Sequence, residues 1–182
     1  QSGETADTIA AMRECQRRGA KTLAIVNVVG STIAKLADWC LYTWAGPEIA
    51  VATTKGYTTQ LTVLYLFALY AAKQLKTVDN AAFHQYLSTL KSLPKLIQQA
   101  LDMNPGIYQL AKKYHSAYSM FFIGRNTDYA VALEGALKMK EISYIHAESY
   151  AAGELKHGTI ALICDGQPVI ALCCNDSIAE KT

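Results

Sequence analysis

The stretch TLAIVNVV, Thr22 to Val29, is apolar and β-branched, without the polar alternation of a strand that keeps one face in water. Such a run is accommodated as a strand covered on both faces, and that requires a parallel sheet lying between helices. The neighbouring sequence fits. Ile9, Met12 and Cys15 recur at helical spacing from Thr5 to about Arg18, with Gly19 placed as a helix C-cap. Ser31 is placed to cap a short helix through Ala37, and WCLYTWAG follows as a second strand candidate. Strand, helix and strand within 40 residues point to an α/β chain rather than a helical bundle.

The middle of the chain changes character. Thr53 to Leu75, Asn80 to Leu101 and Ile107 to His115 read as helices, with Pro94 a kink or break and MNPG, Met103 to Gly106, an interruption. A boundary at MNPG divides the chain into 1–103 and 104–182. LTVLYLFALYAA, Leu61 to Ala72, is about a dozen residues long where a membrane span needs about 20, so it reads as a buried core helix. Beyond the boundary YSMFFIGRN is a buried strand ending at Gly124. A helix capped by Thr127 or Asp128 follows, and PVIALCC is a further strand.

Composition excludes several classes of function. Hydrophobic content of 51% over 182 residues is ample for a core. The 17 basic and 15 acidic residues are interspersed, so no run of charge marks a nucleic-acid groove or an anionic membrane surface. Cys15, Cys40, Cys164, Cys173 and Cys174 are odd in number and lack CxxC spacing, which fits reduced thiols in the cytoplasm and no zinc site. Neither a secretory signal nor a membrane partner is expected.

Four stretches can carry chemistry. QSGETADT sets a Gly and two hydroxyls before a helix whose first N–H groups attract anions, so it fits a phosphate. Equally, Ser2 or Thr5 is a plain N-cap and Glu4 favours the helix dipole. In ALEGALKMKE, Glu134, Lys138 and Glu141 lie within about 60° of arc on one helix face. That stripe is either a solvated ion pair or a proton-transfer site set in a packed helix. In AESYAAGELKHG, Gly153 and Gly158 flank His157, an acid/base candidate, whereas a lone surface histidine most often does nothing; His84, His115 and His146 read as structural. Thr53, Thr54, Thr58 and Thr59 around Lys55 suit a polyol, or else Thr53 and Thr54 cap the long helix.

Taken in order, QSGETADT, GPEIAVATTKGYTTQ and ALEGALKMKEISYIHAESYAAGELKHG resemble the sugar-isomerase (SIS) region of the glutamine–fructose-6-phosphate aminotransferase family, at that family's spacing and over essentially the whole chain. The resemblance implies a three-layer, flavodoxin-like parallel sheet with helices on both faces. It further implies the back half of one SIS subdomain, 1–103, joined to the front half of a second, 104–182. The strand before Gln1, the glutaminase domain and the C-terminal tail with its lysine are then expected to lie outside this chain.

Carried over residue by residue, the resemblance makes Gln1, Ser2 and Thr5 phosphate-loop residues, and Val51 and Thr53 sugar contacts. It makes Glu141 the base between C1 and C2, Glu134 and Lys138 its supports, and His157 the ring-opening histidine supplied to a neighbouring subunit. The implied substrate is fructose 6-phosphate and the product glucosamine 6-phosphate, in a homodimer without metal or organic cofactor. Two other readings stay open. One is a phosphosugar-binding SIS protein without turnover, and the other an interaction fragment whose exposed sheet edges make it associate.

Overall fold

The computed structural model describes residues 1–174 and 176–182, which form two compact units, 1–99 and 100–182. In the first unit, α1 (Ala6–Arg17) leads into β1 (Leu23–Val26), α2 (Thr32–Leu36) and β2 (Trp39–Tyr42). The strands pair in parallel, Leu23 with Trp39 through Val26 with Tyr42. Ala24, Val26 and Ile33 form the core of this unit, with Ile9 and Met12 of α1 packed against them. The other face of β1 is less covered than the unbroken apolar run predicts, and Leu23 is 40% exposed. The strand is also shorter than TLAIVNVV, because Asn27 to Gly30 leave the sheet in a turn.

The helices α3 (Thr54–Gln74) and α4 (Asn80–Asp102) follow. Of α3 only Gly56 is buried, while Leu64, Tyr65, Phe67 and Tyr70 are exposed. The expectation of a buried core helix over Leu61 to Ala72 is therefore corrected. This unit offers α3 the flank of a two-stranded sheet, far less surface than a helix apolar all round can cover itself with. No helix among the described residues is long and apolar enough to cross a membrane. α4 runs through Pro94 without ending, and MNPG is not a loop: Met103 alone separates α4 from α5 (Asn104–Tyr114), with Pro105 in the first turn, where its missing N–H costs no hydrogen bond.

The second unit is built on β3 (Ser119–Gly124), α6 (Thr127–Ser143), β4 (His146–Ala151) and β5 (Val169–Leu172), with α7 (Asp176–Ala179) at its end. Its sheet is parallel throughout, in the order β4-β3-β5. β3 is buried on both faces, as its unbroken MFFI predicts. Met120 and Phe122 pack with Ala132 and Ala136 of α6, and Phe121 stacks 5.9 Å from the Tyr150 ring on the opposite face. Small residues set this packing distance. A Cβ on Gly124 would come 2.6 Å from the backbone of Asp128, and one on Gly135 would come 3.0 Å from the Phe122 ring.

Two expectations are corrected in this unit. The residue at the cap position of α6 is Asn126, at φ +51°, not Thr127 or Asp128. The buried Asp128 instead accepts the Cys174 N–H at 2.9 Å, tying α6 to the chain after β5. β4 went unrecognised in the sequence, because HAESYA carries polar residues on the face away from α6. His146 therefore lies on a strand and in solvent, not in a helical or apolar setting.

Candidate functional site

The first cluster lies ahead of α1. The Asn27 N–H donates to the Gln1 carbonyl at 2.9 Å and the Ile33 N–H to the Gly3 carbonyl at 3.0 Å, so Gln1 to Gly3 lie along the end of β1 and the start of α2. Gly3 is required there. It has φ +73°, and a Cβ would fall 2.2 Å from Ser31 Oγ. Ser2 and Thr5 are exposed at the entry to α1. Thr5 occupies the cap position without a side-chain cap bond, and the Ser2 hydroxyl accepts the Glu4 N–H at 3.2 Å. Neither hydroxyl is therefore used as an N-cap of α1.

Glu4 also does something other than favour the dipole of its own helix. Its carboxylate accepts the Thr32 N–H at 2.8 Å, and the bonds from Thr32, with Lys35 close by, hold its carboxyl below the usual range. It thereby supplies the cap that Ser31 was expected to give α2. Ser31 is 3% exposed, and its hydroxyl has no partner.

Thr53 joins this cluster from the cap position of α3. The Gln1 amide and the Thr53 methyl both close on Gly56, where a Cβ would lie 2.9 Å from Gln1 Cδ and 2.8 Å from Thr53 Cγ2. The Gln1 amide atoms are buried there and unpartnered. Thr53 has φ +55°, a strained value for a β-branched residue, and its hydroxyl donates to the Val51 carbonyl at 3.0 Å instead of capping α3. The Val51 side chain is 81% exposed. Gly56 and Glu4 are the members of this cluster that spacing missed, since Gln1 stands far from Gly56 in sequence and Thr32 lies 28 residues from Glu4, and no local pattern encodes such contacts.

The second cluster is on α6. Lys138 Nζ lies 2.5 Å from Glu141 Oε2 and 3.6 Å from Glu134 Oε1, with the three side chains 20–33% exposed. The hydrogen bond that Lys138 donates to Glu141, aided by Glu134 and opposed by desolvation, raises the Lys138 pKa, so the ammonium stays charged. Glu134 and Lys138 lie roughly opposite Ala132 and Ala136 on the helix, away from the face that packs on β3. Leu137 and Ile142 are exposed, so α6 is packed along one side and not all round as its composition predicts.

His157 stands apart from that stripe, exposed in a 3-10 turn, Leu155–His157. With Tyr150, Thr159 and Leu162 it lines an open hollow of about 460 Å³. The Tyr150 hydroxyl donates to Glu148, which also meets His146 at 3.2 Å. Among the described residues no three His, Cys, Asp or Glu side chains gather to hold a metal, and all five cysteines are free thiols.

The family model described as SIS domain matches residues 1–70 and 113–182. The chain belongs to the SIS domain family. Both clusters fall in the SIS-matched residues. Over all 182 residues the chain is 57% identical to the glutamine–fructose-6-phosphate aminotransferase (isomerizing) of Symbiobacterium thermophilum, covering 30% of that protein. It is 50% identical over 181 residues to the protein of that name from Thermococcus kodakarensis, again covering 30%. Among solved SIS structures, the C-terminal domain of glucosamine-fructose-6-phosphate aminotransferase from Francisella tularensis matches with TM-score 0.96 at 40% identity, over 100% of this chain and 51% of that one. A putative phosphosugar isomerase from Silicibacter pomeroyi matches with TM-score 0.83 at 30% identity, over 100% of this chain and 52% of that one. The chain thus spans about a third of the length of the curated relatives it matches.

Proposed function

We propose that this chain is the sugar-phosphate-binding and isomerase region of a glutamine–fructose-6-phosphate aminotransferase, made of parts of two SIS subdomains divided near residue 103. The observation that carries the reading is the half-buried Glu134, Lys138 and Glu141 cluster, with Lys138 held between the two carboxylates. An ion pair serving only solubility has no need of partial burial on a helix with Ala and Gly on its packed side.

Ser2 and Thr5 take the phosphate through their hydroxyls, beside the first N–H groups of α1, and Gln1 completes the loop that carries them. Val51 and Thr53 face the sugar. His157 passes a proton between the ring oxygen and the anomeric hydroxyl of fructose 6-phosphate, opening the ring for a site in the neighbouring subunit of a homodimer. Ammonia released from glutamine by a separate domain condenses at C2 with loss of water. Glu141 then takes a proton from C1 and returns it to C2, while the O1 hydroxyl proton passes to the imine nitrogen, which turns the C2 imine into the aldose glucosamine 6-phosphate. Lys138 stays charged throughout and steadies the carboxylate. The five free thiols favour a reducing compartment, and the reaction is assigned to the cytoplasm.

Replacing Glu141 with Gln in the intact enzyme tests this. Fructose 6-phosphate should still bind by calorimetry with little change, while kcat for glucosamine 6-phosphate falls by a factor on the order of 10² or more. Unchanged kcat removes Glu141 from the chemistry, and lost binding moves it to the binding surface. Binding by the wild type without any turnover would favour a phosphosugar-binding SIS protein instead.

A further inference from the structure

Three attachments fasten the segment ahead of α1. Two are made through its own carbonyls, by Asn27 to Gln1 and Ile33 to Gly3. The third is made by a side chain, with the Glu4 carboxylate accepting the Thr32 N–H at 2.8 Å. Thr32 and Ile33 are first-turn residues of α2, whose cap-position residue Ser31 makes no side-chain bond, so Glu4 and Gly3 together satisfy the start of a helix that lies 28 residues on. Gly3 and Ser31 interlock at the same point. Ser2 and Thr5 lie on either side of this anchored pair, and the Glu4 N–H is donated to Ser2 Oγ at 3.2 Å.

A carboxylate beside an anion site would ordinarily repel a phosphate. Here its charge is turned onto the N–H and hydroxyl of Thr32, with Lys35 nearby, and away from the start of α1. We propose that Glu4 is a positioning residue for sugar-phosphate binding: by capping α2 it holds Ser2 and Thr5 in the shape that receives the phosphate. This rests on the reading of Gln1 to Thr5 as the phosphate loop. Glu4 itself touches no phosphate, so its effect belongs in KM.

The test is steady-state kinetics of the full-length enzyme carrying Glu4→Ala, Glu4→Gln or Ser2→Ala, with inorganic phosphate as a competitive inhibitor and a melting curve for each variant. Glu4→Ala should raise KM for fructose 6-phosphate and Ki for phosphate about fivefold, the equivalent of losing one cap, with kcat within about twofold of wild type. Glu4→Gln keeps an acceptor for the Thr32 N–H and should restore most of both constants. A lower Tm for Glu4→Ala with KM and Ki unchanged would make Glu4 a stability cap alone and overturn the proposal. A Glu4→Gln variant as impaired as Glu4→Ala would overturn it too, because charge and not attachment would be at work. Ser2→Ala reports on the underlying reading: if it leaves KM and Ki unchanged, the phosphate loop itself is misassigned.

Discussion

Asp38 ties the beginnings of β1 and β2 together. One oxygen accepts from Lys21 Nζ at 2.9 Å, and the other accepts the Thr22 N–H and hydroxyl, each at 2.9 Å. Lys21, then the two donors of Thr22, bring its pKa from an ordinary 3.8 to about 2. A depressed carboxylate contributes stability that is complete above its unfolded pKa and is lost as pH falls toward the folded one. The first unit should therefore lose stability as pH drops from about 4 to about 2. Asp38→Asn should flatten that part of an acid titration followed by circular dichroism; an unchanged slope would mean that other carboxylates carry it. Nothing in the sequence singles Asp38 out, because its partners come from a strand start 16 residues away.

At the scale of elements, the contact of α6 with β3 depends on absent side chains. Gly124 ends β3 beside Asp128 in the first turn of α6, and a Cβ there would lie 2.6 Å from the Asp128 carbonyl carbon and 2.7 Å from the Tyr129 nitrogen. Backbone cannot move aside as a flexible side-chain end can, so Gly124→Ala should push α6 off the sheet. An expected cost of about 1–3 kcal/mol, the size of an overpacked core, should appear in urea unfolding of the chain. A cost below about 0.5 kcal/mol would show that the turn adapts. This helix also marks how far local pattern reaches. Its extent was legible from spacing, and so was the polar stripe, since residues three and four apart must share a face. Its start was not. Asn126 adopts a positive φ at the cap position and Asp128 turns to Cys174, 46 residues on, a choice that a strand elsewhere in the sequence decides.

At the scale of the whole molecule, the chain leaves many large apolar side chains exposed. Leu64, Tyr65, Leu66, Phe67 and Tyr70 are 42–61% exposed along α3. Large apolar side chains left exposed around a helix favour association. The 182-residue chain, 19.9 kDa as a monomer, should sediment as a dimer or larger at micromolar concentration, and Leu64→Gln with Phe67→Gln should shift it toward monomer. A wild-type chain that stays monomeric would mean that these exposed side chains are tolerated in water. The same feature explains the misjudged core helix. Composition shows that a helix seeks cover on every side, but how much cover it finds depends on the area of sheet beside it, here two strands.

By itself the sequence determined the α/β class, four of the five strands among the described residues and the acid-lysine-acid stripe. These rest on interactions between near neighbours, where a period of two or 3.6 residues leaves few alternatives. Tertiary structure alone decided that Glu4 serves α2 and not its own helix, that Gln1 meets Gly56, and that HAESYA is a strand. In each case a hydrogen-bonding or packing group satisfies a partner from a distant element, and the identity of that partner is set by the fold as a whole.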